Sequence, residues 1–322
     1  MIDRVDKKRQ RDQGENIMEI IISQTFVLFA FMAIGFTLAR CKIVKNEHSN
    51  FLSKLLVCVF YPANNLKALS RYCTLDYLRE NYLLILASLA ILTVIVLIMY
   101  FTAKLFTRDR VKRAIYEYSL VISNFGALGY AFAEELFGIE GLNNVIVFSI
   151  PLTLYTYTFG YCILSGKKFT PKNLVNPSSI SLVLGILIGV TGLGTVLPNM
   201  IYSLFDKASY CMAPLCMLLV GIVIAEFGVL TMVKNPRAYI ITALRLLVIP
   251  IAIGGVLSLL HVQRWILVSA ILMYAMPCGM NTIVFPKNAG HDCSTGASLA
   301  LISNLLACGT IPLVFYIFGI YL

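Results

Sequence analysis

Long apolar stretches alternate with short polar ones along nearly the whole chain. Scanned at the length of a bilayer crossing, the pattern predicts ten apolar spans, at 19–39, 50–69, 81–106, 113–135, 142–165, 178–198, 203–229, 237–260, 264–286 and 294–321. Lipid offers backbone groups no hydrogen-bond partners, so each span is predicted to be helical. The expected fold class is an all-α polytopic membrane protein. The division between the sixth and seventh spans rests on "LPNM" around Pro198.

Two spans depart from a smooth helical pattern. The fourth reads "SLVISNFGALGYAFAEELFG", with Asn124, Gly126 and Gly129 at mid-span. The ninth reads "AMPCGMNTIVFP", with Pro277, Gly279, Asn281 and Thr282 at mid-span. Proline removes a backbone donor and clashes with the preceding turn, and glycine weakens a helix. The interruptions occupy matching places in two similar halves. "SIPLTLYTYTFG" around Pro151 parallels "TIPLVFYIFG" around Pro312, and "FYPANNL" around Pro62 parallels "APLCMLL" around Pro214. An odd number of spans per half inverts the second copy in the membrane. Two inverted five-helix repeats with paired broken helices are the arrangement of secondary transporters. The expected organisation is a polar and disordered extension at 1–17, a first repeat at 18–165, a cytoplasmic linker at 166–177 and a second repeat at 178–322. Broken helices free backbone groups for a solute, and half-helix N-termini favour an anion. Asparagine and threonine add hydrogen bonds without burying a charge. Asn124, Gly126, Gly129, Pro277, Gly279, Asn281 and Thr282 are therefore the expected substrate-binding residues.

Composition agrees with this picture. Of 322 residues, 59% are hydrophobic and only 13% are charged, against about a quarter in an ordinary globular domain. The formal net charge of +10 would suggest nucleic acid in a soluble chain; here it falls mainly in short loops, and no nucleic-acid partner is expected. Arg40, Lys42 and Lys45 follow the first span, and a cluster from Lys104 to Arg113 follows the third. Lys167, Lys168 and Lys172 follow the fifth, Lys234 and Arg237 the seventh, and Lys287 the ninth. The alternate loops carry fewer: Lys67, Arg71, Arg79, Lys207 and Arg264. The bias places the odd-numbered loops in the cytoplasm and both termini outside, in the cell membrane. The basic residues among 1–17 oppose that orientation, and a start at Met18 removes most of the conflict. Nine scattered cysteines without a CxxC spacing read as apolar fillers, not as a disulfide framework or metal site.

Few ionisable residues lie at membrane depth. Glu117, Glu134 and Glu135 flank the fourth span and suit helix ends or headgroups. Glu226 and Arg245 are candidates for proton coupling or an ion pair. A cation/proton antiporter on a crossed-helix scaffold is the alternative, but it needs a carboxylate where this chain has Asn124 and Asn281. An intramembrane enzyme is disfavoured: "AEELFG" lacks histidine partners, since His48, His261 and His291 all fall in loops, and there is no GxSxG motif. No catalytic residue, cofactor or metal is expected. A receptor is disfavoured by the lack of a soluble signalling domain.

The ordered set "FMAIGFTLARCKIV", "LSKLLVCVFYP", "SNFGALGYA", "NPSSISLVLGILIG", "LPNM", "APLCMLLVGIVIA" and "MPCGMNTIVFPKNAGHDCSTGASLALISNLLACGTIPL" resembles the auxin efflux carrier family. That family includes plant auxin exporters and bacterial carriers of malate- or malonate-like carboxylates. The resemblance runs from about residue 18 to 322. It implies ten helices in two inverted repeats, with the fourth and ninth unwinding and crossing near the midplane, where a small organic carboxylate binds. Asn124 and Asn281 would be the polar residues of the crossing, with Pro277 at the second break. One departure stands out. The family pattern has a proline shortly after the second glycine of the fourth-span motif, whereas here Tyr130 and Ala131 follow Gly129; the first break is expected to be less sharp. Alternating access would move a bundle of spans three to five and eight to ten against a scaffold of spans one, two, six and seven. The glycines of "LVLGILIG" would allow close packing in that scaffold, including between two protomers of a homodimer.

Overall fold

Helix starts and stops follow local sequence chemistry. The Asp109 carboxylate accepts hydrogen bonds from the backbone N–H groups of Val111 and Lys112 at 2.9 and 3.0 Å, capping the helix Arg110–Val121. Asn176 caps Pro177–Val190 through the N–H of Ser179, and the proline sits at the first helical position, where no donor is needed. Gly138 has φ +64°, a backbone region costly for other residues, and it divides the helical segment Tyr130–Phe148 into 130–137 and 139–148.

A computed structural model describes Ser23 and residues 26–320. The expected extension 1–17, Met18 and the opening of the first span lie outside the described residues. In chain order the helices are α1 Phe26–Arg40, α2 Asn46–Leu55, α3 Tyr61–Tyr72, α4 Leu75–Glu80, α5 Tyr82–Phe106, α6 Arg110–Val121, α7 Tyr130–Phe148, α8 Ile150–Tyr155 and α9 Tyr161–Leu164. They continue as α10 Pro171–Leu174, α11 Pro177–Val190, α12 Asn199–Phe227, α13 Val229–Val233, α14 Pro236–Ala243, α15 Ile249–Leu259, α16 Arg264–Tyr274, α17 Asn281–Asn288 and α18 Ser294–Ile317. Wide π turns at Leu56–Phe60 and Leu244–Val248 each end two residues before a proline, Pro62 or Pro250. The extra residue eases the clash of the proline ring with the preceding turn and re-aims nearby side chains.

The protein is all-helical among the described residues. Among the described residues, four helices are long and apolar enough to cross a membrane: Tyr82–Phe106, Asn199–Phe227, Pro236–Leu259 and Ser294–Ile317. A fifth crossing arises if α7 with α8 and α9, bent by 48°, is one span. α5 shows the lipid-facing character most clearly. Leu86, Leu89, Leu97, Phe101 and Leu105 are all at least half exposed, an apolar surface that water would not tolerate over such an area. The turn at 191–198 separates α11 from α12, with Gly192 at φ +73° and Pro198 at the start of α12.

Side-chain contacts sort most helices into two groups. In one, α3 is tied to α11 and α12: Asn65 Nδ2 donates to the Ser178 carbonyl at 3.0 Å, the Tyr61 hydroxyl lies 3.7 Å from Cys216 Sγ, and Lys67 pairs with Asp206 at 3.3 Å. The glycines of "LVLGILIG" belong here. A Cβ on Gly185 would stand 3.0 Å from Leu69 Cβ, and one on Gly189 would stand 2.6 Å from the Leu69 carbonyl oxygen. Both glycines are buried against α3 within one chain, so their small face is not open to a second protomer; Val183, Leu184 and Leu187 of α11 point outward instead. The other group joins α5–α9 to α14–α18, as in the edge-to-face contact of Phe137 with Trp265 at 5.8 Å.

Candidate functional site

The helical run of the fourth expected span stops at Val121, and Ile122–Asn124 are not helical; Ile122 has φ −114° and ψ 131°. The ninth stops at Tyr274 and resumes at Asn281, leaving 275–280 open. The first break is shorter, in line with its missing proline, but it is present. Its backbone groups find partners across the gap instead. The N–H of Asn124 donates to the Pro277 carbonyl at 2.8 Å, Ser123 and Cys278 form an antiparallel bridge, and Ser123 Oγ donates to the Met273 carbonyl at 2.5 Å. Two extended segments thus hydrogen-bond each other deep inside a helical protein, which satisfies the demand that buried backbone polar groups be paired. Gly279 makes this approach feasible, since a Cβ there would stand 3.1 Å from the Ser123 carbonyl oxygen.

A cavity of about 50 Å³ opens on this crossing. Asn124, Gly126, Gly279 and Asn281 line it, together with Ser123, Met280, Tyr61, Asn64, Thr156 and Tyr157 among others. No lining residue is formally charged. Asn124 is buried and its Nδ2 has no partner, a state that costs about 1–3 kcal/mol until an acceptor arrives. Asn281 Nδ2 donates to the Tyr118 hydroxyl at 2.8 Å, which fixes its amide at the cavity edge. α17 starts at Asn281 and the π turn Phe125–Gly129 starts beside Asn124. The first turn of α17 is already paired, with Thr282 N–H donating to the Gly279 carbonyl at 3.2 Å and Ile283 N–H to the Met280 carbonyl at 2.9 Å, so what it presents to the cavity is the positive end of the helix dipole.

The other expected residues serve the frame. Thr282 is fully buried and its hydroxyl donates to the Gly279 carbonyl at 2.8 Å. Gly129 packs against Met273 and Phe125, and Pro277 contributes its carbonyl to the bridge. None of these three lines the cavity. Asn64 and Tyr61 were not anticipated from the sequence. Their signal was the adjacent asparagines of "FYPANNL" at mid-span; Asn64 reaches the cavity while Asn65 bonds to α11. Glu226 and Arg245 do not pair with each other. Glu226 bonds Lys287 at 2.9 Å, and Arg245 is fully buried on backbone carbonyls.

The cavity adjoins a larger vestibule at one end. A vestibule of about 660 Å³ shares Asn64, Gly126, Tyr130 and Met212 with it and carries Lys67, Arg71, Asp206, Glu134 and Glu135. Toward the opposite end, the ring of Phe285 packs on Tyr61, Tyr157 and Tyr161 at 6.1, 6.3 and 5.2 Å. Ser53 Oγ donates to the Val284 carbonyl at 2.7 Å, and the Lys287–Glu226 pair closes the same side.

Apolar helices of membrane-crossing length and a polar cavity between interrupted helices define a multi-pass membrane protein of the transporter class. The family model described as "Membrane transport protein" matches residues 20–173 and 162–316, and the chain belongs to that family, the auxin efflux carriers. It is also similar to an uncharacterized transporter of Methanothermobacter thermautotrophicus, 22% identical over 291 residues that cover 89% of this chain and 94% of the relative.

Proposed function

We propose that this transporter moves a small organic anion, a carboxylate of the auxin or dicarboxylate kind, by alternating access across the cell membrane. The observation that carries the reading is the meeting of two interrupted helices at an uncharged polar cavity. There, the free Nδ2 of Asn124 and the side-chain amide of Asn281 converge beside the positive end of α17. A carboxylate matches such a set of donors, because charge-assisted hydrogen bonds to N–H groups are roughly twice as strong as neutral ones.

In this reading the shorter helices combine across their breaks into ten crossings, α6 with 130–137 and α16 with α17 forming the fourth and ninth. The two five-helix halves are inverted, and both termini are outside. The vestibule then faces outward and the Phe285 cluster seals the cytoplasmic side, so the structure has the outward-open form. Transport follows when the group holding the crossing slides past α3, α11 and α12. The cation/proton antiporter alternative lacks a carboxylate among the cavity-lining residues. In proteoliposomes a panel of radiolabelled carboxylates tests the proposal. Uptake of at least one member is expected, with Asn281→Ala reducing it at least about tenfold, as loss of a charge-assisted bond implies. Unchanged affinity and rate in a folded Asn281→Ala protein would remove the site assignment. Proton movement driven by cations alone would favour the antiporter.

A further inference from the structure

The crossing leaves one charge unexplained. Arg245 lies in the π turn Leu244–Val248, its side chain fully buried. Nη1 donates to the Leu120 carbonyl at 3.2 Å and Nη2 to the Met273 carbonyl at 3.3 Å. Leu120 is in the last turn of α6 and Met273 in the last turn of α16, the two half-helices that end at the breaks. Final helical carbonyls have no intrahelical donors and carry the negative end of the helix dipole. One guanidinium therefore bridges the negative ends of both half-helices. Among the described residues no carboxylate pairs with it, its Nε has no partner, and the Tyr274 ring lies 5.5 Å from Cζ. Two neutral carbonyls and a ring offset only part of the cost of burying a full charge. The cavity is close by: Ser123, which lines it, donates to the same Met273 carbonyl that Arg245 holds.

Half-helix C-terminal ends and unwound carbonyls are where transporters of this general design hold a coupling metal cation. Resting on the carboxylate reading above, we propose that Arg245 is the resident cation of this crossing. It occupies the carbonyl ends that a co-transported sodium ion would otherwise take. Its positive charge is the counter-charge for the carboxylate bound on the other side of Ser123. Substrate binding then requires no metal cation, and Arg245 selects for the anion over its neutral analogue without touching it.

The test has a ligand-free arm and a ligand arm, both on the purified full chain. In the first, the thermal midpoint is measured in sodium chloride and in choline chloride at equal ionic strength. The wild type is expected to be indifferent to the exchange. Arg245→Ala is expected to melt lower and to recover part of the loss with methylguanidinium or sodium but not choline. Stabilisation of the wild type by sodium over choline overturns the proposal, as does an Arg245→Ala protein that neither cation rescues. If Arg245→Ala does not fold, Arg245→Lys and Arg245→Met decide through the second arm. There, phenylacetate, malonate and their neutral amides are titrated by thermal shift. For a carboxylate that stabilises the wild type, Arg245→Met is expected to weaken binding at least about tenfold, Arg245→Lys far less, and the amide to be unaffected, as loss of one nearby charge implies. Equal carboxylate binding by Arg245→Met overturns the role of Arg245 and leaves the carboxylate reading standing. Wild type that binds no carboxylate defeats that reading instead, and the sodium and methylguanidinium results then judge Arg245 alone.

Discussion

The interruptions at Asn124, Gly126, Gly279 and Asn281 were legible in the sequence because proline and glycine weaken a helix at membrane depth. Their division of labour was not. A one-dimensional pattern names the break, but only the geometry shows that Thr282 turns back on its own helix while Asn281 faces the cavity. Asn64 was hidden for a related reason: a single helix pattern does not reveal which neighbour covers which face. The partners of Arg245 were beyond reach altogether, since both are main-chain oxygens, and sequence names side chains only. The two glycines beside the cavity give opposite expectations. A methyl group on Gly279 meets the bridged Ser123 carbonyl at 3.1 Å, so Gly279→Ala is expected to destabilise the protein by about 1–3 kcal/mol, as overpacking does. A methyl group on Gly126 meets nothing nearer than Asn64 Nδ2 at 3.9 Å. Gly126→Ala should keep or raise the thermal midpoint while weakening carboxylate uptake, because the methyl enters the cavity. Melting curves with matched uptake assays check both, and a neutral Gly279→Ala would show that the crossing is not tightly packed.

At the scale of elements, α17 joins the cavity to the closed end. Its first residue, Asn281, lines the cavity, Val284 accepts from Ser53 of α2, and Lys287 pairs with Glu226 of α12. The carboxylate and ammonium are only about a quarter exposed or less, but such pairs contribute no more than about 1 kcal/mol. Glu226→Gln is therefore expected to loosen that end modestly. Reaction of buried Cys293 with a maleimide, followed by peptide mass mapping, should accelerate by about two- to fivefold. The exchange of charges in Glu226→Lys with Lys287→Glu should return it toward the original rate. An unaltered rate in Glu226→Gln would show that the aromatic contacts of Phe285 alone hold the end shut. The expected third, seventh, eighth and tenth spans coincide with long apolar helices, the fifth falls on the bent pair that forms one further candidate span, and the kink at Gly138 falls between the expected fourth and fifth spans. The small-residue face of α11 is a close-packing surface, as its glycines predict. Its partner proved to be α3 of the same chain, because glycine spacing records nearness without recording whose backbone comes near.

At the scale of the molecule, the charge asymmetry of the loops and the position of the vestibule make a joint prediction about direction. With the odd-numbered loops in the cytoplasm, exposed Cys41, between α1 and α2, should react with a membrane-impermeant maleimide only in inside-out vesicles. A Lys207→Cys variant, placed at the vestibule end of α12, should react in intact cells. The reverse pattern would turn the vestibule toward the cytoplasm and make the structure an inward-open form.

The bridge between Ser123 and Cys278 has a consequence for how such a carrier can change over generations. The two arms are stitched by main-chain atoms, which every residue type but proline supplies in full. Replacing a lining side chain such as Asn64, Met280 or Tyr157 leaves the stitch intact. Selectivity is thereby separated from assembly: a lineage can retune which solute it carries by altering the wall of the cavity, while the knot between the two arms is inherited unchanged.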